Sequence, residues 1–193
     1  FLDEIEGFAL EKKVPIIRKE TQSLLRILLQ IKQPKQILEV GTAIGFSALF
    51  MEEVNPTESD ITTIENDKNR IAIAHQNFIN AGKDDLIHLV EGDAQDILLK
   101  LNEKYDFIFM DAAKGQYLHF LPLVLQLLKP GAIIVSDNVL QDGDIIQSRF
   151  AVTRRNRTIH KRMREYLYSI THNEELTTTI LTVGDGIAIS VKK

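Results

Sequence analysis

The feature that most limits what this chain can fold into is the regular exchange of short apolar runs and helical segments across its middle. Residues 36–40 form an apolar run closed by Gly41, the pattern of a buried strand. Residues 46–54 read as a helix that Asn55-Pro56 ends. A second strand is expected at 61–64, then a helix at 68–81 closed by Gly82. A third strand at 86–90 precedes a helix at 94–101. A fourth, at 105–110, is apolar throughout, as in a sheet covered on both faces. A helix at 117–128 then turns through Pro130-Gly131 into a fifth strand at 132–136. Ahead of all this, Leu24, Leu25, Ile27, Leu28 and Ile31 recur at helical spacing within 16–31, and Pro34 stops that helix. Beyond it, 177–183 and 187–191 read as strands joined by Gly184-Asp185-Gly186, a hairpin.

Strands that alternate with helices imply a doubly wound α/β fold with helices on both faces and ligands at the C-terminal strand ends. The closing hairpin must run one strand antiparallel. Seven mostly parallel strands ending in such a hairpin suggest the Rossmann-like methyltransferase architecture. No repeat, low-complexity tract or Pro/Gly-rich linker divides the pattern, so residues 1–193 read as one domain. That length can bury a substantial core, and 44% apolar residues argue against disorder. A chain that starts at Phe1 rather than Met leaves room for residues ahead of it.

The absence of Cys excludes disulfides, thiolate metal sites and a Cys nucleophile, and is compatible with a cytoplasmic location. No apolar run approaches the roughly 18 residues of a membrane span, and residues 1–20 lack a signal-peptide core. No membrane partner is expected. The net charge of −4 argues weakly against nucleic acid, but its distribution does not. Seven of the 23 basic residues, Arg149, Arg154, Arg155, Arg157, Lys161, Arg162 and Arg164, fall in one stretch without an acid. The remaining 16 stand against all 27 acids, so an acidic body of −11 carries a basic segment of +7.

Candidate functional residues gather at the strand ends. Glu39-Val40-Gly41-Thr42-Ala43-Ile44-Gly45 sits where the first strand turns into a helix, and its glycines admit a ligand close to the backbone. The Gly-x-x-x-Gly spacing is not the Gly-x-Gly-x-x-Gly of a dinucleotide site, and Glu39 suits a ligand with an ammonium group. A tight turn alone would read the same way. Glu65 ends the second strand, where an acid accepts ribose hydroxyls or caps the next helix. Asp93, after the third strand, suits an adenine amino group or an N-cap. Asp111 follows the fourth strand, and Asp137-Asn138 follows the fifth. Adjacent strand ends bring these hard oxygen donors together, as Mg²⁺ requires; either Asp alone would be an ordinary loop cap. Lys114, three residues past Asp111, is a candidate base or a paired surface lysine.

These residues resemble the cation-dependent class I O-methyltransferases, the group of catechol and caffeoyl-CoA O-methyltransferases. The likeness rests on Glu39 to Ser47, Glu65, Gly92-Asp93-Ala94, Asp111-Ala112-Ala113-Lys114, Asp137-Asn138 and Val183-Gly184-Asp185-Gly186, and covers nearly the whole chain. It implies S-adenosylmethionine bound along Gly41, Phe46, Ser47, Glu65, Asp93 and Ala94, with Asp111 near its methionine end and Ile16 covering it. It implies Asp111, Asp137 and Asn138 as ligands of Mg²⁺ or another divalent cation, Lys114 as the catalytic lysine, and a homodimer.

Within that group the chain looks most like the bacterial tRNA 5-hydroxyuridine methyltransferases, through residues 154–158 and 111–117. The basic stretch then becomes a tRNA surface. Ile159, Met163, Tyr166, Leu167 and Ile170 share a helical face for the core, while Arg157, Lys161 and Arg164 project outward behind the loop cations Arg154 and Arg155. A solvated helix face paired with acids is the plainer alternative. Tyr117 or Phe46 would contact a base or the cofactor, or pack in the core. Three rivals remain: a methyltransferase acting on a small catechol-like or acyl-CoA substrate, an NAD-dependent oxidoreductase, and a non-catalytic RNA-binding module.

Overall fold

The structure, a computed structural model, describes residues 1–140, 143, 145, 153 and 157–193. The chain divides into two compact units, Phe1–Ile97 and Leu98–Lys193.

In the first unit, helices α1 (Leu2–Lys12) and α2 (Lys19–Lys32) precede β1 (Gln36–Val40), α3 (Phe46–Val54), β2 (Asp60–Glu65), α4 (Lys68–Ala81) and β3 (Ile87–Glu91), and α5 (Ala94–Leu98) follows. β1, α3 and α4 fall where the sequence predicts them. Asp67 caps α4 by accepting from the backbone N–H groups of Asn69 and Arg70, and Gly82 closes it in the left-handed region. β2 pairs in parallel with both β1 and β3, and the register sets Glu39 opposite Thr63 and Glu65 opposite Glu91.

Three expectations are corrected here. α1 was not anticipated, because its charged sequence buries only Ile5 and Ala9. α2 starts at Lys19 rather than 16, since Arg18 is extended ahead of it. It buries Thr21, Gln22, Leu25 and Leu29, whereas Ile27 and Ile31 are 52% and 76% exposed. The inward face is thus turned by one position from the expected stripe. α5 stops at Leu98, leaving Leu99 in solvent.

In the second unit, β4 (Tyr105–Met110) leads through a 3-10 turn (Lys114–Gln116) to α6 (Tyr117–Leu127) and β5 (Leu128–Ser136). α7 (Arg157–Thr171), β6 (Leu176–Leu181) and β7 (Ile187–Lys192) complete it. β5 starts four residues before the predicted 132–136; Pro130-Gly131 lies inside the strand, with Gly131 at φ 72°. β4 and β5 run parallel, with Met110 opposite Ser136, so Asp111 and Asp137 leave the strands at the same level. β7 is antiparallel to both β5 and β6. The seven strands follow the order β3-β2-β1-β4-β5-β7-β6, the mixed sheet with a C-terminal antiparallel hairpin that the alternation implies.

α7 buries His160, Met163, Tyr166 and Ile170. Ile159, assigned to the buried face by its spacing, is 37% exposed, and His160 takes its place inside. Among the described residues no helix is long and apolar enough to cross a membrane.

Candidate active site

In the first unit three strand ends are drawn together by backbone bonds. The amides of Gly41 and Thr42 both donate to the Ile64 carbonyl, at 3.1 Å each, and the Gly92 amide donates to the Glu65 carbonyl at 2.8 Å. The loop after β1 therefore folds against the end of β2, and the turn after β3 joins it. Gly41 adopts φ 107° and Gly45 φ 84°, both in the left-handed region. At Gly45 a Cβ would lie 2.5 Å from the Phe78 ring of α4, so only glycine lets the loop and helix approach this closely.

Glu65, 8% exposed, braces this arrangement. Its Oε2 accepts from the Ala43 amide at 2.9 Å, and its Oε1 accepts from Asn66 and Asp67 at 2.9 and 3.0 Å. A carboxylate oxygen accepts more than one hydrogen bond, so the same group is still able to take a diol. Asp93 is exposed and caps α5 through Oδ1, which accepts from the Gln95 amide at 2.9 Å. Ala94 opens that helix. Phe46 and Ser47 are 3% and 8% exposed at the start of α3, and Ile16 is half-buried in the connection between α1 and α2.

Glu39 is corrected. It is fully buried and presents no surface to a ligand. Its Oε2 accepts from the Thr63 hydroxyl at 2.5 Å, and that hydroxyl lies 2.5 Å from the Thr42 hydroxyl in the glycine loop. Glu39 therefore anchors the loop from beneath. Thr42 and Thr63 were missed; the only signal was that a parallel register would set Thr63 beside Glu39.

In the second unit, Asp111 and Asp137 stand side by side at the ends of β4 and β5, and Asp137 is 2% exposed. Asn138 follows at φ 55°, a left-handed conformation that Asn tolerates well. Its amide N–H donates to Asp137 Oδ1 at 2.7 Å. Its side-chain Nδ2 donates to Asp185 Oδ2 at 3.3 Å, which leaves its Oδ1 as a donor atom for a cation. Asp185 sits in the hairpin turn, which is tied down where Val139 and Leu140 donate to the carbonyls of Gly186 and Asp185. Lys114 is half-buried in the 3-10 turn, and Arg162 of α7 holds that turn by donating to the Gly115 carbonyl at 3.1 Å.

The basic stretch is less free than its sequence suggests. Arg164 donates to the Ile145 carbonyl at 3.1 Å, and Lys161 faces Glu165 at 3.6 Å. Arg157 is half-buried at the start of α7. Arg154 and Arg155 lie outside the described residues. Tyr117 is fully buried with its hydroxyl on backbone carbonyls, so it stacks on no base.

A family model described as O-methyltransferase matches residues 2–193, the length of both units. The chain belongs to the O-methyltransferase family. This O-methyltransferase is similar to a solved structure from Staphylococcus aureus, provisionally assigned as a caffeoyl-CoA O-methyltransferase. The two share 32% identity at a TM-score of 0.92, over 100% of this chain and 92% of that one. An O-methyltransferase from Bacillus cereus, solved in complex with S-adenosylhomocysteine, aligns at 26% identity and a TM-score of 0.88 over 100% and 90% of the two chains. A catechol O-methyltransferase from Niastella koreensis is 37% identical over 126 residues, which span 63% of this chain and 57% of that protein.

The donor set of the methyltransferase's second unit fits a hard divalent cation. Among the described residues no cluster of three or more His, Asp or Glu side chains gathers, so a cation here would depend on two carboxylates and one amide oxygen. Those carboxylates are uncomfortable without one. Burial first, and the Asp137 charge second, push the Asp111 carboxyl up to about 7 from its ordinary 3.8, against an opposing pull from Lys114. A group with a raised folded pKa favours the protonated folded state, so the cation-free protein loses stability as pH climbs from about 4 to about 7 and levels off above. The expected unfolding midpoint falls across that window, and Mg²⁺ raises it more at about pH 8 than at about pH 6, where a proton must first leave. A midpoint flat with pH and indifferent to Mg²⁺ would refute the paired site.

Proposed function

We propose that this chain transfers the methyl group of S-adenosylmethionine to a hydroxyl that has a second oxygen beside it, aided by a divalent cation such as Mg²⁺. The observation that carries the reading is the pairing of a half-buried Asp111 with a buried Asp137 at adjacent strand ends, with the oriented Asn138 amide beside them. Gly41, Phe46, Ser47, Glu65, Asp93 and Ala94 would hold the cofactor, with Ile16 over it and Asp111 toward its methionine end. Asp111, Asp137 and Asn138 would hold the cation. When bound, the cation makes a chelated hydroxyl more acidic and fixes its direction. Glu65 accepts the ribose hydroxyls while keeping the glycine loop in place through Ala43. Lys114, steadied by Arg162 through Gly115, accepts the hydroxyl proton at Nζ or favours its release electrostatically. Holding donor and acceptor in line accounts for about 7–11 kcal/mol of the barrier.

The substrate we propose is 5-hydroxyuridine at the wobble position of tRNA, giving 5-methoxyuridine in the cytoplasm. O4 and the 5-hydroxyl of that base are neighbouring oxygens, as in a catechol. An anticodon-loop base is also readily splayed out of its stack. The acid-free basic stretch from Arg149 to Arg164 supports this substrate, and Arg162 anchors it beside the Lys114 turn. A homodimer would present two such segments. The second reading is a small catechol-like or acyl-CoA substrate, favoured by the catechol and caffeoyl-CoA O-methyltransferases among the similar proteins.

Nucleoside mass spectrometry of tRNA from cells lacking the protein separates the two. The expected result is accumulation of 5-hydroxyuridine and loss of 5-methoxyuridine. Unchanged tRNA, together with efficient methylation of free catechols by the purified enzyme, would replace the first reading by the second. Charge reversal at Arg154, Arg155 and Arg157 is expected to weaken tRNA binding and flatten its salt dependence while cofactor binding persists.

A further inference from the structure

We propose that Tyr117 is a positioning residue for the cation site, a buried phenol that fixes the spacing of the two strand ends bearing Asp111 and Asp137. This rests on the cation reading of those residues and adds a residue that touches neither cation nor substrate.

Tyr117 is the first residue of α6, directly after the turn that carries Lys114. Its side chain is fully buried and reaches back beneath both strand ends. The hydroxyl lies 2.9 Å from the Met110 carbonyl, at the residue before Asp111, and 3.1 Å from the carbonyl of Asp137 itself. One proton is thus shared between the last carbonyl of β4 and the first carbonyl past β5. The Asp137 amide also donates to the Met110 carbonyl, at 3.0 Å. The junction is therefore stitched once by backbone and once by side chain.

The ring is fixed in its turn. Tyr166 of α7 packs against it edge-on, with centroids 5.4 Å apart and planes at 76°. The Tyr166 hydroxyl lies 2.5 Å from the Ser136 hydroxyl, one residue before Asp137. Both partners of the phenol are carbonyl oxygens, which only accept, so its hydroxyl serves as the donor to both. A phenylalanine would fill the same volume. The hydroxyl is what ties the strand ends.

Divalent cations are sensitive to donor spacing, and loss of an outer partner that orients their ligands typically costs 10–100-fold in affinity. The test is Mn²⁺ binding to the cofactor-free, full-length protein, followed by calorimetry or by the electron paramagnetic resonance signal of free Mn²⁺. Tyr117→Phe is expected to weaken Mn²⁺ about 10-fold or more. Tyr166→Phe loses a buried hydroxyl bond of the same kind one step further out, and is expected to lose stability while keeping Mn²⁺ affinity within about twofold. For a variant too unstable to titrate, the rise in unfolding midpoint at saturating Mn²⁺ makes the same comparison. Unchanged affinity in Tyr117→Phe, or an equal loss in both variants, overturns the positioning role. Absence of Mn²⁺ binding by the wild-type protein instead overturns the cation site itself, and this role with it.

Discussion

Asp137→Ala is expected to lower methyl transfer by on the order of 10³-fold while leaving the protein folded. A cation at a reacting oxygen supplies several kcal/mol, and each 1.36 kcal/mol is about tenfold in rate. Without the Asp137 carboxylate the site keeps one charged donor and one amide oxygen, too little for a hard divalent ion. The fold should not suffer, because the carboxylate is a source of repulsion as well as an acceptor. Its charge is the second cause of the raised Asp111 pKa. Removing it lowers that pKa and relieves the cation-free state. The bond from the Asn138 amide to Asp137 Oδ1 is forfeited, and it lies at the edge of the site rather than in the core. Unfolding midpoints should therefore be near wild type without Mg²⁺ and no longer rise with it. Tyr117 still spans the Met110 and Asp137 carbonyls, which belong to the backbone. Turnover that survives either this substitution or a chelator would sink the cation-assisted reading.

Much of the fold was legible because parallel strands buried on both faces are apolar throughout, as in 105–110, and because Gly or Pro ends several elements, among them β1, α3, α4 and β3. What stayed hidden has physical causes. α1 carries only two buried residues among charged ones, a signal too thin to separate from solvated chain. The inward face of α2 includes Thr21 and Gln22. Gln22 belongs inside because its Nε2 donates to the Ile17 carbonyl at 3.0 Å, a partner that exists only once the chain has folded. His160 and Ile159 exchanged places on α7 for want of a rule that predicts a buried histidine.

The candidate site divides along the same line. Residues that project from strand ends are found from topology alone, which is how Glu65, Asp93, Asp111 and Asp137 could be named. Residues that hold them are not, because their task is defined by partners far away in sequence. Thr63 matters through Glu39, 24 positions earlier. Tyr117 matters through Asp137, 20 positions later, and Asp185 through Asn138, 47 positions earlier. The basic stretch shows the opposite failure. Its charge was plain, yet Arg162 and Arg164 turn out to brace backbone carbonyls, a use that no charge count reveals.

Glu65→Ala should have the largest effect on the proposed cofactor half of the site, and it separates the loop-bracing role of this carboxylate from the ribose-binding role proposed for it. Three backbone amides, those of Ala43, Asn66 and Asp67, lose their acceptor at once. They are partly buried, so the expected loss of stability is about 2–4 kcal/mol, or roughly 5–15 °C in the unfolding midpoint. On the proposed reading, two ribose hydroxyls would lose a charged acceptor as well. At about 1.5–3 kcal/mol per bond, S-adenosylhomocysteine binding should weaken by at least about 100-fold. Glu65→Gln keeps one carbonyl oxygen, which accepts from Ala43 or from the Asn66–Asp67 pair but not from both, so it should recover part of the stability. Calorimetry well below the unfolding midpoint keeps the two effects apart. A variant that melts early yet binds S-adenosylhomocysteine as tightly as wild type would reduce Glu65 to a brace for the glycine loop. A variant that loses both would mean that the loop is held in place by the same oxygen atoms that read the ribose.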